Sequence, residues 1–319
     1  MVFFDLKNNN TECPPPLRPS AVALGIFDGV HLGHRQLLLE TIARRDKLIA
    51  DGQDAIAIVW SLFEQPNKQI GEGIPLHLTS LEEKLGLFAE AGIDYAVLEH
   101  FEDIRNTSPE DFVSETLVQK LGAKSAVCGF NFRFGKNGAG DADTLFRLMR
   151  CNGGDVTVVP AVSAGGGIVS SSRIRSLIEK GETEEAAELL GRPFSVNLPV
   201  VHGKQLGRTL GIPTINQNFP EGHIIPRTGI YASTVSVGDD TLPAITNVGC
   251  RPTFDGDGRI NCETHIINYS GLLYGETVRV CFYKRLREEM HFSVPEELTE
   301  QIKRDAAAAC EYFSDRSKI

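Results

Sequence analysis

A pair of histidines around a glycine is the first feature of the sequence that could do chemistry. The segment GIFDGVHLGH, residues 25–34, places His31 and His34 on either side of Gly33, directly after the apolar residues AVAL. Glycine lets a backbone turn sharply and approach a phosphate, and imidazole N–H groups can donate to charge that builds up on phosphoryl oxygens. If a strand ends at Phe27 and a helix follows, the helix N-terminus also favours an anion. The segment therefore predicts a phosphate site at the end of a strand.

Two other interpretations of the histidine pair remain open from the residues alone. Histidines three residues apart on a helix are often ordinary surface residues. They could also be zinc ligands, as in helical histidine pairs. Zinc requires a third and a fourth ligand, however, and no cysteine or acidic cluster with ligand spacing accompanies His31 and His34.

A second candidate phosphate site lies in the segment VSSSRIRSLIEKG. Serine hydroxyls at a helix N-terminus, followed about one turn later by a guanidinium, can clamp a phosphate group. Ser171, Ser172 and Arg175 have this arrangement in the sequence. Taken alone, such a segment is more often a capped surface helix.

The C-terminal half contains a third candidate, VVHGKQLGRTLGIPTINQN. Its glycines and cations alternate along the chain as Gly203, Lys204, Gly207, Arg208 and Gly211. Flexible backbone beside two cations suits a loop that covers phosphates. The short polar side chains of Thr214 and Asn216 suit oxygen ligation of Mg²⁺.

The elements that must position these residues fall into two groups. Between about residues 21 and 162, short apolar runs alternate with helical segments. Such alternation is typical of an α/β domain whose parallel sheet is covered on both faces, and its ligands bind at the carboxyl ends of the strands. We therefore predict an α/β domain over residues 1–183.

After the segment SSSRIRSLIEKGETEEAAELLGRPF, residues 170–194, the pattern changes to strands and tight turns. This change predicts antiparallel hairpins that close into a small β-barrel over residues 184–319. A terminal helix is predicted from Pro295, with Leu298, Ile302, and Ala306 or Ala309 on one face.

The composition limits the class of partner. The chain of 319 residues has a formal net charge of −10, and it lacks the basic block that would neutralise a nucleic-acid backbone. Its seven cysteines are scattered without a CxxC pair, which indicates free thiols in a reducing cytoplasm. Neither a secretory signal pattern nor a long apolar run is found. We expect a cytoplasmic protein that binds neither nucleic acid nor membrane.

Taken together, the motifs resemble one family. GIFDGVHLGH is similar to the HxGH signature of nucleotidylyltransferases, and its surroundings resemble the bacterial bifunctional riboflavin kinase/FAD synthetase family. GFNFRFGKNGAGD, residues 129–141, and VSSSRIRSLIEKG match further segments of that family in the same order, and the resemblance covers nearly the whole chain. It implies a Rossmann-like FMN adenylyltransferase domain over residues 1–183 and a riboflavin kinase barrel over residues 184–319.

The resemblance also implies the reactions and the ligands. Riboflavin and ATP give FMN in the barrel, and FMN and ATP give FAD and pyrophosphate in the α/β domain. ATP, riboflavin, FMN and FAD would be the small-molecule partners and Mg²⁺ the cofactor. The expected state is a monomer or a transient homo-oligomer.

In the N-terminal half, the resemblance implies an adenylyl-transfer site. His31 and His34 would steady the charge of the transition state, and Arg175 would stabilise the departing pyrophosphate. Asn131 would help to hold the nucleotide or the flavin. The other residues implied to bind ATP or its phosphates are Gly25, Phe27, Asp28, Gly29, Gly33, Ser171 and Ser172.

In the C-terminal half, GIPTINQN resembles the Pro-Thr-Ala-Asn motif of riboflavin kinases, with Ile215 in place of alanine. Thr214 and Asn216 would hold Mg²⁺ and ATP, and Glu263 would deprotonate the ribityl hydroxyl. Arg287 and Phe292 would border the flavin ring, although packing within the protein is an equal alternative for both. The residues implied to cover the ATP phosphates are Gly203, Lys204, Gly207 and Arg208.

One departure from the family pattern leaves alternatives open. The family has a Phe-x-Pro-His-Pro stretch after its second strand, whereas this chain reads SLFEQPN, with Gln65 at the histidine position. A chain with one active half, such as a kinase alone, is therefore an alternative, and so is a flavin-binding regulator without catalysis. Class I aminoacyl-tRNA synthetases also carry a His-x-Gly-His motif, but the short acidic chain without a Lys-rich second signature disfavours them.

Overall fold

The computed structural model describes residues 1–5, 17–63, 76–203, 211–250 and 260–315. The chain divides into two compact units, the first made of residues 1–75 and 81–169 and the second of residues 76–80 and 170–319. The division at Val169 and Ser170 precedes residue 183, because the two helices that follow it pack with the second unit. The boundary at residue 183 divides the residues between the two reactions, and that division stays a prediction.

The first unit is built on a six-stranded parallel sheet with the order β1-β4-β3-β2-β5-β6. Its strands are β1 Val2–Asp5, β2 Ser20–Leu24, β3 Ile56–Leu62, β4 Tyr95–Glu99, β5 Ala123–Gly129 and β6 Asp155–Val159. Its helices are α1 Leu32–Ala50, α2 Leu81–Glu90, α3 Phe101–Ile104, α4 Pro109–Asp111 and α5 Ala142–Cys151. Helix α4 continues as a π-helical segment Phe112–Lys120, and a short hairpin, β7 Ser163–Ala164 and β8 Gly167–Ile168, follows the sheet.

Two apolar layers cover the two faces of this sheet. On one face Leu38 of α1 and Phe88 of α2 pack with Val59 of β3. On the other face Met149 of α5 belongs to the same cluster as Trp60. Every residue of β2 and β3 is buried, which explains why both strands read as continuous apolar runs. The predicted α/β architecture is confirmed, and the edge strand β1 is an addition that the sequence analysis did not predict.

The second unit is built on an antiparallel sheet with the order β10-β13-β12-β11-β14-β9. Its strands are β9 Phe194–Pro199, β10 Ile215–Asn218, β11 Gly229–Val237, β12 Asp240–Cys250, β13 Ile260–Ile266 and β14 Thr277–Arg287. Its helices are α6 Ser171–Lys180, α7 Thr183–Leu190 and α8 Pro295–Asp315. Ala309 of α8 is fully buried and packs with Ile245 of the sheet, as the predicted apolar face of this helix requires.

One buried glutamine ties the two ends of the antiparallel sheet together. The Gln217 side chain of β10 is fully buried, and its Nε2 donates to the carbonyl oxygens of Leu198 (2.6 Å) and Val278 (2.8 Å), in β9 and β14. Beside it, the backbone N–H of Val201 donates to the carbonyl of Asn216 at 2.8 Å. The sheet is therefore nearly closed, which confirms the predicted barrel.

Among the described residues, none of the helices combines the length and the apolar character needed to cross a bilayer.

Replacing Gln217 by leucine tests this closure. We expect Gln217→Leu to lower the free energy of unfolding of the barrel by about 2–4 kcal/mol, because two buried carbonyls lose their donor. Urea unfolding followed by far-UV circular dichroism measures the change. The matched variant Asn218→Leu, in an exposed position of the same strand, should unfold like the wild type. Equal midpoints for the two variants would show that Gln217 does not close the sheet.

Candidate active sites

The histidine segment lies where the sheet of the first unit changes direction. The chain passes from β2 to β3 on one side and later returns to β5 on the other side of β2. Ligands of open α/β sheets bind at such a switch point, outside the carboxyl ends of the strands. The loop after β2 carries His31, and the loop after β5 carries Asn131. The structure thus brings these two predicted segments to the same edge of the sheet.

The loop between β2 and α1 is folded into an unusual backbone conformation. Phe27 (φ 55°), Gly29 (φ 81°) and Val30 (φ 38°) all have positive φ values. A β-branched residue such as Val30 rarely adopts this region, and such conformations persist only where the surroundings enforce them. Phe27 and Val30 are both buried, so packing holds the loop in place. Of the three, Gly29 alone adopts the left-handed conformation at little cost.

His31 caps α1 and is held in one tautomer. Its Nδ1 accepts the backbone N–H of His34 at 3.3 Å, so neutral His31 carries its proton on Nε2. The two imidazole rings are stacked, with centroids 3.7 Å apart and planes 12° apart. Gly33 accommodates this stack, because a Cβ at its position would lie 3.2 Å from Cε1 of His31.

His34 is a neutral histidine at neutral pH. Burial, together with the nearby His31 and Lys84, holds the pKa of His34 well below its usual range. Its Nδ1 is buried and has no hydrogen-bond partner among the described residues. An unpaired buried nitrogen is costly in a protein interior and is typical of a site that meets a polar ligand.

Lys84 of α2 and Ser61 of β3 contact this loop, although neither was predicted from the sequence. The carbonyl of Ile26 accepts from Ser61 Oγ at 3.0 Å and from Lys84 Nζ at 3.2 Å. Burial lowers the pKa of Lys84, and the Asp28 carboxylate opposes that change. The available signal was the position of Lys84 four residues before Phe88, on the buried face of an amphipathic helix.

The predicted phosphate clamp lies at the start of α6, in the second unit. The hydroxyl that caps this helix is that of Ser170, whose Oγ accepts from the backbone N–H of Arg173 at 3.3 Å. Ser171 and Ser172 lie in the first helical turn, and Ser172 is exposed. The Nε of Arg175 donates to the carbonyl of Leu76 at 2.7 Å. A phosphate role for the two serines and Arg175 stays a prediction.

The second unit has a cavity of about 190 Å³ beside β10. Thr214 and Asn216 line it, together with residues of β13 and the segment after it. Asn216 lies directly opposite Glu263 in the β10–β13 pairing, and Glu263 lies directly opposite Asn247 in the β12–β13 pairing. Directly opposite residues project from the same face of a sheet. Three polar residues therefore form a row across three neighbouring strands.

The chemistry of this row fits Mg²⁺ and a hydroxyl substrate. The asparagine carbonyl and the glutamate carboxylate of the row, together with the hydroxyl of Thr214 that lines the same cavity as Asn216, are oxygen donors of the kind that Mg²⁺ prefers. The Oδ1 atom of Asn247 is buried without a hydrogen-bond partner among the described residues, which suits a donor such as a substrate hydroxyl. Asn247 was missed in the sequence, because its place beside Glu263 arises from strand pairing. No group of three His, Cys, Asp or Glu side chains within the described ranges could hold a metal ion, so the zinc interpretation gains no support.

Arg287 links strand β14 to helix α8 through hydrogen bonds. Its Nε and Nη2 donate to the buried carboxylate of Asp305 in α8, the closest contact being 2.7 Å, and its Nη1 donates to the carbonyl of Glu288. Phe292 is partly buried in the segment before α8. The packing alternative given for Arg287 thus has direct contacts behind it, and the flavin role of both residues stays a prediction.

Several predicted residues have little or no structural description. Lys204, Gly207, Arg208 and Gln65 lie outside the described residues. Gly203 is partly buried at the end of a described segment, and Asn131 is exposed.

Comparison with known proteins gives matches to both halves of the chain. A FAD synthetase family model matches residues 13–173, and a riboflavin kinase family model matches residues 190–313. A bifunctional riboflavin kinase/FMN adenylyltransferase of Bacillus subtilis (strain 168) is 32% identical over 304 residues, covering 94% of each chain. Its counterpart from Escherichia coli (strain K12) is 35% identical over 304 residues, 93% of this chain and 94% of the relative.

A solved structure shares the fold over its full length. It is a protein of Streptococcus pneumoniae described as a macrolide-efflux protein, with a TM-score of 0.85 and 29% sequence identity. The similarity covers 97% of this chain and 99% of that one.

The buried His34 predicts an acid-sensitive first unit. Its pKa is lower in the folded than in the unfolded chain, so below pH about 6.5 the unfolded chain binds the extra proton. Stability is therefore fully present above that pH and falls, by at most about 1.4 kcal/mol per pH unit, as the pH decreases towards the folded pKa.

Urea unfolding followed by the fluorescence of Trp60, the single tryptophan, measures this loss between pH 7.5 and 5.5 in steps of about one unit. The variant His34→Asn should lose less stability than the wild type over this range. His100→Asn, at a half-buried histidine of the same unit, is the matched control. Parallel slopes for wild type and His34→Asn would contradict the prediction.

Proposed function

The chain belongs to the family of bifunctional riboflavin kinase/FMN adenylyltransferases, and we propose which of its residues carry each of the two reactions. The protein is an enzyme of flavin cofactor biosynthesis that phosphorylates riboflavin to FMN with ATP and adenylylates FMN to FAD. The observation that carries the assignment is that two different family models match successive parts of one chain. We assign residues 1–183 to the adenylyltransferase and residues 184–319 to the kinase.

We propose that His31 and His34 serve the adenylyl transfer. A phosphate oxygen of FMN forms a bond to the α-phosphorus of ATP, and the bond from that phosphorus to the bridging oxygen breaks, so that pyrophosphate leaves. Negative charge grows on the oxygens of the α-phosphorus during this step, and fixed N–H donors stabilise it. The Nε2 proton of His31, the backbone N–H groups at the start of α1 and the imidazole of His34 are suited to this role.

The role proposed for the two histidines is hydrogen-bond donation and not proton abstraction. The phosphate of FMN is already an anion at neutral pH and needs no general base to attack. Alignment of the two reactants and electrostatic stabilisation therefore supply most of the rate. In this proposal Gly25, Phe27, Asp28, Gly29 and Gly33 shape the ATP loop.

The remaining contacts of the adenylyl-transfer site are proposed from the family resemblance. Ser171 and Ser172 bind the ATP phosphates, Arg175 binds the departing pyrophosphate, and Asn131 helps to hold the flavin nucleotide.

We propose that Glu263 is the general base of the kinase reaction. The terminal ribityl hydroxyl of riboflavin attacks the γ-phosphorus of ATP, its proton passes to the Glu263 carboxylate, and ADP leaves. A carboxylate suits this step because it accepts the proton as the new bond forms. Thr214 and Asn216, on the neighbouring strand, would hold Mg²⁺, which neutralises charge on the ATP phosphates when it is bound. Gly203, Lys204, Gly207 and Arg208 cover these phosphates in the proposal.

We propose a cytoplasmic location and ATP, riboflavin, FMN and FAD as the small-molecule partners of the two sites. The net charge of −10 disfavours nucleic acid and anionic membranes. Cys128, Cys151, Cys262 and Cys310 are free thiols, as expected in a reducing compartment. The enzyme is proposed to act as a monomer or a transient homo-oligomer.

Two substitutions separate the two reactions. Glu263→Gln should slow riboflavin phosphorylation by about 10²–10⁴-fold, because the general base is lost, and leave FMN adenylylation unchanged. His31→Asn should slow FMN adenylylation by about 10²–10³-fold, because a donor to the transition state is lost, and leave the kinase unchanged. Chromatography of flavins after incubation with ATP and Mg²⁺, starting once from riboflavin and once from FMN, measures both rates.

Each variant serves as the control for the other, and the exposed carboxylate variant Glu276→Gln should behave like the wild type in both assays. Wild-type protein that makes FMN but no FAD would indicate a chain with kinase activity and no adenylyltransferase activity. FAD formation that starts from FMN but not from riboflavin would indicate an adenylyltransferase without kinase activity. Bound flavin without conversion would indicate a regulator.

A further inference from the structure

A buried lysine ammonium supports the loop that presents the two histidines. Lys84 is only 6% exposed, and its Nζ lies 3.2 Å from the carbonyl oxygen of Ile26. Burial of a charged ammonium is costly unless it is paired or hydrogen-bonded. An apolar residue in this buried position of α2 would pack without that cost. Packing alone therefore does not explain why a lysine occupies this position.

Two donors from two different elements hold the same carbonyl oxygen. Ser61 Oγ, at the end of β3, donates to the carbonyl of Ile26 at 3.0 Å, and Lys84 Nζ donates from α2. Ile26 directly precedes Phe27, the first residue of the loop with a positive φ value. Fixing the Ile26 carbonyl fixes the peptide plane between Ile26 and Phe27. The two hydrogen bonds thereby help to hold the strained backbone at Phe27 and Val30 in place.

The same ammonium is part of the charge balance of the site. The charged and titratable groups that act on one another here are Asp28 of the loop, His31 and His34 at the start of α1, and Lys84 of α2. Asp28 is buried and favours the charged form of Lys84. The positive charge of Lys84 in turn disfavours protonation of His34.

We propose that Lys84 is a positioning residue for adenylyl transfer: its ammonium locks the Ile26 carbonyl, and with it the turn that aims His31 and His34 at the phosphates. A second consequence is that the positive charge of Lys84 adds to the effect of burial and of His31 in keeping His34 neutral. Lys84 acts through the loop and does not contact the substrate. The inference rests on the proposed role of His31 and His34 in the adenylyl transfer.

Three substitutions separate the hydrogen bond from the charge. Lys84→Met removes both, Lys84→Arg keeps a cation, and Ser61→Ala removes the other donor to Ile26 without changing the charge. Lys47→Met, at an exposed lysine of α1, is the matched control. For each variant, kcat and KM of FMN adenylylation are measured against pH, and riboflavin phosphorylation on the same chain reports that the protein is folded.

We expect Lys84→Met to lower kcat of adenylylation by about 10–100-fold, with a smaller change in KM for ATP, because the catalytic geometry is loosened. The acidic limb of its pH profile should move to higher pH, because His34 loses a positive neighbour. Ser61→Ala should lower kcat without moving that limb. Lys84→Arg should keep the limb at the wild-type position, and kinase activity should stay unchanged in all three.

A wild-type kcat and acidic limb in Lys84→Met would overturn the proposal. If Lys84→Met loses both activities and so fails to fold, Lys84→Arg and Ser61→Ala decide. A shifted limb in Lys84→Arg, or a wild-type kcat in Ser61→Ala, would then refute the proposal. His31→Asn is assayed in parallel. Wild-type adenylylation in that variant would refute the proposed function of the loop, whereas an inactive His31→Asn beside an unaffected Lys84→Met would refute the role of Lys84 alone.

Discussion

The first unit depends on one constraint, which is that the chain must leave the fully buried strand β2 and start helix α1 within a few residues. Residues 27–30 of that turn are buried, and buried backbone polar groups need partners from the protein itself. The Ile26 carbonyl accepts hydrogen bonds from Ser61 Oγ and Lys84 Nζ, and the backbone N–H of His34, in the first turn of α1, donates to His31 Nδ1. The same bonds that satisfy the turn also fix the orientation of the histidines.

The barrel meets a comparable constraint by different means. Its sheet must close between β9 and β10, and few backbone hydrogen bonds join these strands. The carboxamide of Gln217 bridges them inside the barrel, while the neighbouring Asn216 faces Glu263 from the other side of the strand. Because side chains alternate along β10, Gln217 serves closure while Asn216 lies on the opposite face, where its role is a proposal. The pairing of β10 with β13 places Asn216 beside Glu263.

The two sites differ in the charge that they are built to handle. The histidine loop offers N–H donors and the positive end of a helix, which suit charge on a phosphoryl group. The barrel row and Thr214 offer carboxamide, carboxylate and hydroxyl oxygens, which suit a cation and the proton of an alcohol. Both kinds of site are needed by an enzyme that first phosphorylates an alcohol and then joins two phosphates. Each site also contains a buried polar atom that has no partner within the described parts of the chain, His34 Nδ1 in one and Asn247 Oδ1 in the other.

Much of the fold, and the location of both candidate sites, could be predicted from the sequence, because those features depend on short stretches of chain. Continuous apolar runs, glycine-rich turns and the capped helix starts are local patterns, and they gave the α/β unit, the barrel, the terminal helix and the segments around His31 and Thr214. The functional roles within these segments came from the family resemblance and not from the patterns.

Tertiary structure alone decided which distant residues support these segments. Lys84 reaches Ile26 across 58 positions, Gln217 reaches Val278 across 61, and Asn247 meets Glu263 only through strand pairing. Arg287 likewise finds Asp305 of the last helix. These pairs have no spacing that a sequence pattern could reveal, because their distances are set by how strands and helices pack and not by their separation along the chain.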